Sequence, residues 1–214
     1  MGLPLSVCEL SPHTPPAKYD LQCCSRDHPA RSSLERFIVD GYTRAYGAYV
    51  VHFADVLVGL SLDPGEWSAA VGYTVAGRRP LFMEQYIDVP VEDLLTTVIG
   101  APVLREDIVE VGNLVAAGSG AARRVIVHMT ELLHDLGRSW VVLTLTKSLL
   151  NSFVRLGIEL IPLVAADPAR LTDKGASWGT YYSCEPCVMA ASIPLGFRRL
   201  LGGTHRRDTT IGAD

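Results

Sequence analysis

Residues 110–129, EVGNLVAAGSGAARRVIVHM, bring together a carboxylate, a run of small residues and two adjacent cations. Arg123 and Arg124 fall in the first turn of an expected helix. The helix macrodipole is positive there, so each arginine costs roughly 0.3–1 kcal/mol unless something negative sits beside it. Ala116, Ala117, Gly118, Ser119, Gly120 and Ala121 leave the backbone N–H groups ahead of that helix open to close approach. Helix ends hold pyrophosphate or phosphopantetheine in this way. A strand, a small-residue loop and an arginine-headed helix therefore suggest a phosphorylated ligand, with a solvated turn whose arginines pair with nearby acids as the plainer alternative. The Gly-Lys-Ser/Thr ending of a nucleotide P-loop is missing, and the spacing does not meet GxGxxG. Glu110 stands on an otherwise apolar strand, where burial would lift its pKa toward the range of a working general base.

Other reactive side chains carry less. Cys184 and Cys187 form a CxxC with no second pair to complete a zinc site, and five cysteines including adjacent Cys23 and Cys24 do not make a secreted disulfide framework. His52, His128 and His134 lack metal-ligand spacing, so no metal is expected. The net charge of -4 is spread along the chain and leaves no basic face for nucleic acid. No apolar run reaches the roughly 20 residues that cross a bilayer, and the N-terminus has no signal-peptide pattern, so a cytoplasmic protein without stable membrane insertion is expected. MGLPLS fits the loose pattern for myristoylation at Gly2, a frequent accidental match.

The elements that must position these residues follow from periodicity. Five prolines before residue 30 make residues 1–32 an irregular segment. A helix begins at Ser32 or Ser33, with Leu34, Phe37, Ile38, Gly41, Tyr42 and Ala45 on one stripe until Gly47. YVVHFADVLVGLSLD and WSAAVGYTVAG flank Asp63-Pro64-Gly65 and read as an antiparallel hairpin. Pro90 and Gly100 bound a second helix, DIVEVGNLVA is a strand, and the arginine-headed helix runs to Gly137 with an apolar stripe from Ala122 to Leu136. SWVVLTLT, KSLLNSFVRLG and IELIPLV give strand, helix, strand, and WGTYYSCEPCVMAASIP a last strand or extended arm. The class is α/β (α+β): a mixed central sheet with helices on both faces over residues 33–197, followed by a basic tail at 198–214 expected to be flexible.

This order, with its loop, is similar to the Gcn5-related N-acetyltransferase (GNAT) fold, in which pantetheine runs along a splayed central strand into the following helix. Over residues 34–196, LFMEQYIDVPVE, IVEVGNLVA, ARRVIV, NSFVRLGIELIPL, AADPARL and WGTYY with Pro186, Val188 and Met189 resemble the thermostable hemolysin family. That family resembles acyl-homoserine lactone synthases and long-chain N-acyl amino acid synthases. In their Glu-x-Ser-Arg-Phe run the counterpart here is Glu110-Val-Gly-Asn113-Leu114, with Asn113 in place of the arginine, so an adenosylmethionine substrate does not follow.

The resemblance implies an N-acyltransferase that moves an acyl group from a phosphopantetheine thioester, on acyl carrier protein or CoA, to a small-molecule or amino-acid amine in biosynthesis, with no tightly bound cofactor. Glu110 would take the amine proton, and backbone N–H groups of residues 114–117 would polarise the thioester carbonyl. Phe153 occupies the position of a common GNAT tyrosine acid, which leaves Tyr181 and Tyr182 to protonate the thiolate. Leu114, Val115, Ala116, Gly118, Ser119, Gly120, Arg123, Arg124 and Asn151 would hold the pantetheine arm, and Arg198 and Arg199 would add to a basic face for an acidic carrier. Glu84, Gln85, Asn113 and Trp178 are the acceptor-side candidates. A membrane-active protein and a non-catalytic acyl-pantetheine binding module are the competing classes.

Overall fold

The computed structural model describes residues 19–63 and 65–205; Gly2 and the rest of residues 1–18, Pro64 and residues 206–214 lie outside the described residues. The elements are β1 (Asp20–Cys24), α1 (Arg31–Tyr46), β2 (Val56–Asp63), β3 (Glu66–Val75), α2 (Val91–Ile99), β4 (Ile108–Ala116), α3 (Ser119–Asp135), β5 (Trp140–Leu145), α4 (Lys147–Arg155), β6 (Ile161–Ala165), β7 (Cys187–Ser192) and α5 (Ile193–His205). The strands form one sheet in the order β1-β2-β3-β4-β5-β7-β6. Only β4 and β5 run parallel; α3 joins them as the crossover.

Side-chain alternation along β4 divides the molecule. Ile108 packs with Met83 and Leu95 on the face covered by α2, whereas Val109 packs with Val125 and Met129 of α3 on the other. By the same period Glu110 faces the α1/α2 side. On the opposite face α4 joins α3 through Ile126, Phe153 and Leu156, and α5 joins through Ile193 against Leu133.

Four expectations are corrected. β1 forms inside the segment taken as irregular, paired antiparallel with β2 from Asp20–Ser61 to Cys24–Leu57. A five-residue edge strand with prolines on either side carries too little periodicity to be read. The first helix begins at Arg31 rather than at a serine cap; Ser33 Oγ donates to the Ala30 carbonyl instead. The basic tail is helical as far as His205, because Ile193 and Phe197, four residues apart, dock on α3, where Phe197 stacks on His134 at 3.8 Å between ring centroids. Residues 49–55, expected to extend the hairpin strand, are irregular.

Arg31 and Asn113 are among the polar side chains that hold that irregular segment. The buried Arg31 guanidinium donates to the Ala54, Asp55 and Cys24 carbonyls and pairs with Glu35 at 2.7 Å. Asn113 accepts from the Ala54 N–H at 2.9 Å and donates to the His52 carbonyl at 3.1 Å. On the other side, α1 lies against β4 at Gly41, where an added Cβ would be 2.3 Å from Val115 Cγ1. We expect Gly41→Ala to push α1 from β4 and lower stability by about 1–3 kcal/mol in urea titration, with an unchanged m-value.

Candidate active site

The strand β4 carries a break in its pairing. Against β3 the register passes from Gly72–Gly112 to Ala70–Val115, so one residue of β3 faces two of β4, and Asn113 adopts φ 53° at the bulge. Against β5 the pairing ends at Val111–Leu143. Beyond that pair the two parallel strands part, and residues 112–116 present an edge with no β5 partner.

Two cavities meet at this fork. One, of about 450 Å³, lies against α3 and α4 and is lined by Leu114, Ala116, Gly118, Ala122, Ser148 and Ser152, and by Met129, Leu133, Ile158, Ile193 and Gly196. The second, of about 840 Å³, lies on the α1/α2 side and is lined by Glu110, His52, Arg79, Phe82, Gln85 and Trp178, among others. Tyr42, Val111, Gly112, Thr144 and Tyr181 line both. The fork thus joins an apolar channel to a compartment containing ionisable groups.

Glu110 is held at the floor of the second cavity without an ion pair. Its Oε2 accepts the Phe82 N–H at 2.7 Å and its Oε1 the Met83 N–H at 2.9 Å. Neither Arg79 nor Arg105 anchors it: Arg79 pairs with Asp55 at 3.0 Å, and Arg105 with Glu84 and Glu92 at 2.8 and 2.6 Å. Burial pushes the Glu110 carboxyl up to about 7, against the lowering effect of the two N–H groups and the Arg79 charge. The carboxylate is therefore poised to exchange a proton near neutrality.

Glu84 builds the support for this arrangement, and its expected role toward substrate is corrected. It accepts the Leu81 and Val91 N–H groups, at 2.8 and 3.2 Å, and is clamped by Arg105. Burial alone would raise its pKa, but the Arg105 hydrogen bond and the two N–H groups outweigh it and hold the carboxyl below its ordinary value. The 3-10 turn Phe82–Tyr86 is so fixed with its first N–H groups aimed at Glu110.

The remaining expected residues separate clearly. Trp178 and Gln85 line the second cavity; Gln85 Nε2 donates to the Phe82 carbonyl at 3.1 Å. Asn113 lines it too, but both ends of its amide are used to hold the 52–54 segment. Tyr181 stands at the fork and donates to the Thr144 carbonyl at 3.4 Å. Tyr182 lies behind it, outside both linings, with its hydroxyl 2.6 Å from that of Tyr86. Leu114, Ala116 and Gly118 line the channel, whereas Val115 points to α1 against Gly41. The Ala117 N–H, expected to face a thioester carbonyl, donates to the Ser68 carbonyl at 2.8 Å. Asn151 is exposed on α4, and Ser148 and Ser152 take the channel side instead. Gly120, Arg123 and Arg124 are exposed on the first turn and a half of α3; Arg124 lies 5.8 Å over the Tyr19 ring, and neither arginine has a carboxylate partner among the described residues. The Ser119 side chain lies outside the described residues. Of the more distant arginines, Arg199 pairs with Glu159 at 2.9 Å, and Arg198 is exposed on α5.

Sequence reasoning missed Tyr42, Tyr46, His52 and Thr144 as lining groups. Tyr42 was legible only as one member of an apolar helical stripe, and nothing in local spacing reveals that the stripe crosses a gap in the sheet. Cys184 and Cys187 are free thiols, with Cys187 Sγ on the Val164 carbonyl, and among the described residues no group of three metal-ligating side chains exists.

The model of the thermostable hemolysin family matches residues 24–197. The chain belongs to the thermostable hemolysin family. Solved structures with the same fold include FeeM, an N-acyl amino acid synthase from uncultured soil microbes, at TM-score 0.57 and 10% identity over 87% of this chain and 96% of that one. BjaI, a CoA-dependent acyl-homoserine lactone synthase solved with SAM and isopentyl-CoA, aligns at TM-score 0.57 and 15% identity over 87% and 90%. A putative N-acetyltransferase from Lactobacillus plantarum aligns at TM-score 0.50 and 12% identity over 82% and 98%. Comparison with curated proteins gives no match. The family member described here thus has the GNAT-like fold, and no helix among its described residues is long and apolar enough to cross a membrane.

Proposed function

We propose that this thermostable hemolysin family protein is an N-acyltransferase that moves an acyl group from a phosphopantetheine thioester to the amine of a small molecule or amino acid. The observation that carries this reading is the fork itself: an apolar channel and a carboxylate-bearing cavity open onto the same unpaired edge of β4. A thioester laid across that edge has its carbonyl beside the bulged backbone of residues 112–116, whose N–H groups supply the polarisation that the developing oxyanion needs. Glu110, ionised in the upper part of the neutral range and facing the second cavity, accepts the proton of the attacking amine directly or through water. The Arg123 and Arg124 side chains at the start of α3, without a carboxylate partner among the described residues, attract the anionic end of the donor, whether the phosphates of CoA or the acidic surface of a carrier protein. The presence of both donors in the cytoplasm supports a reaction in that compartment.

The fold relatives named above include enzymes of this class, which supports the reading without specifying the acceptor. The experiment is thiol release. Purified protein is given acyl-CoAs of graded length and acylated carrier protein, with and without pooled amino acids and polyamines, and products are read by mass spectrometry. Amine-dependent thiol release with an amide product is the expected result; thioesters left intact across all donor and amine combinations would end the proposal.

A further inference from the structure

Departure of a thiolate from the tetrahedral intermediate needs a proton, and its source must stand where both cavities meet. Tyr42 meets this requirement through its position. It projects from α1 one residue after Gly41, whose missing side chain lets the helix lie directly on Val115 of β4. It is lined up on the channel and on the Glu110 cavity alike. Among the described residues its hydroxyl has no hydrogen-bond partner, and it is not sealed off from the cavity space.

The other hydroxyls near the fork are placed differently. Tyr181 spends its O–H on the Thr144 carbonyl, Tyr182 is tied to Tyr86 outside both cavities, and Tyr46 lines the channel but not the Glu110 side. The Tyr42 ring is wedged among Tyr46, Trp178 and Tyr181, at centroid distances of 6.0, 6.1 and 6.3 Å, so the hydroxyl is held on a rigid arm.

Resting on the acyltransfer reading, we propose that Tyr42 is the catalytic acid that protonates the departing thiolate at the β4/β5 fork. The amine nitrogen bonds to the thioester carbon and Glu110 takes the amine proton. The C–S bond then breaks, the sulfur keeps the electron pair and receives the Tyr42 proton, and the phenolate regains a proton from the Glu110 carboxyl through water. The sum is thioester plus amine giving amide plus thiol, with both side chains restored. Burial, with the Tyr46 charge as a lesser cause, raises the Tyr42 pKa well above the ordinary tyrosine value, so the hydroxyl rests protonated and gives its proton to the less basic thiolate only as the Glu110 proton replaces it.

The test varies the leaving group. Wild type, Tyr42→Phe and Tyr181→Phe are assayed with one amine and one acyl group carried on N-acetylcysteamine or on 4-nitrothiophenol. The alkyl thiolate needs protonation, whereas the aryl thiolate is stable enough to leave without it. Tyr42→Phe is expected to lose about 10²-fold in kcat on the alkyl thioester and to stay close to wild type on the aryl thioester, with melting temperature unchanged. An equal loss on both thioesters, no loss on either, or a leaving-group dependence that follows Tyr181→Phe instead overturns the assignment while leaving N-acyl transfer intact. A wild type inactive on both thioesters, and on acyl-CoA and acylated carrier protein, with every amine removes the parent reading, and this one with it.

Discussion

Replacing Glu110 with glutamine should abolish most amide formation, lowering kcat/KM by about 10²–10⁴-fold while the protein still folds. The wild-type profile of kcat/KM is expected to rise with pH through about 7, where Glu110 loses its proton, and the variant's residual rate should lack that limb. Stability supplies an independent reading of the same group. A carboxyl raised in the folded state above its ordinary 4.5 contributes stability below that value, and the contribution is lost as pH rises through about 7. The shift corresponds to a differential cost on the order of 3 kcal/mol at 1.36 kcal/mol per pH unit. The difference in unfolding free energy between variant and wild type should therefore move in the variant's favour by that order between pH 4 and pH 8. An offset independent of pH is expected beneath it, because the glutamine Nε2 must face either the Phe82 or the Met83 N–H, at a cost of about 1–3 kcal/mol. A variant with wild-type turnover, or a flat stability difference, would show that Glu110 is not the titrating base.

The largest structural effect is expected at Gly179. It adopts φ 52° and ψ -123°, a backbone region that residues with a Cβ rarely enter. An added Cβ would lie 2.1 Å from the Tyr46 carbonyl oxygen and 2.9 Å from the Gly47 carbonyl carbon. Both are backbone atoms at the end of α1 and cannot swing aside as a flexible side chain would. The neighbouring Thr180 N–H donates to that same Tyr46 carbonyl at 2.8 Å, and the Tyr49 N–H to the Ser177 carbonyl at 2.7 Å, so this junction ties α1 to the turn carrying Trp178 and Tyr181. Gly179→Ala should cost on the order of 3 kcal/mol from strain and overlap together, which at about 2–4 °C per kcal/mol is a fall of roughly 6–12 °C in Tm. Displacement of the aromatic wall should also raise KM for the acceptor and alter Trp178 fluorescence in the folded variant. A Tm within 2 °C of wild type would mean that the junction is not the tight contact described here.

The membrane-active role suggested by the family's name finds no support in the arrangement of α3. Its apolar stripe, Val125, Met129 and Leu133, is in the core against β2, β3, β4 and α5, so exposing it would require dismantling the sheet's cover. The same stripe that an amphipathic reading makes available to lipid is what closes one side of the channel.

The helices α2, α3 and α4, the hairpin and the strand holding Glu110 were legible because local spacing dictates them: apolar periods of 2 and 3.6, Pro90 before α2, and Gly47, Gly100, Gly137 and Gly157 just past helix ends. The identity of Glu110 as the notable carboxylate was also readable, since an acid on an apolar strand must be buried or paired. Which of the two holds was decided in three dimensions, because Arg79 and Arg105 are each claimed by other carboxylates, Asp55 and the Glu84/Glu92 pair. Glu84 and Asn113 looked like substrate contacts for the same reason that Tyr42 looked like core packing: residue type announces a capacity for hydrogen bonding or burial, and only the partner actually in reach determines how it is spent. The fork between β4 and β5, and with it the meeting of two cavities on one strand edge, arises from pairing that stops after four residues, a property of the distance between strands rather than of either strand's composition.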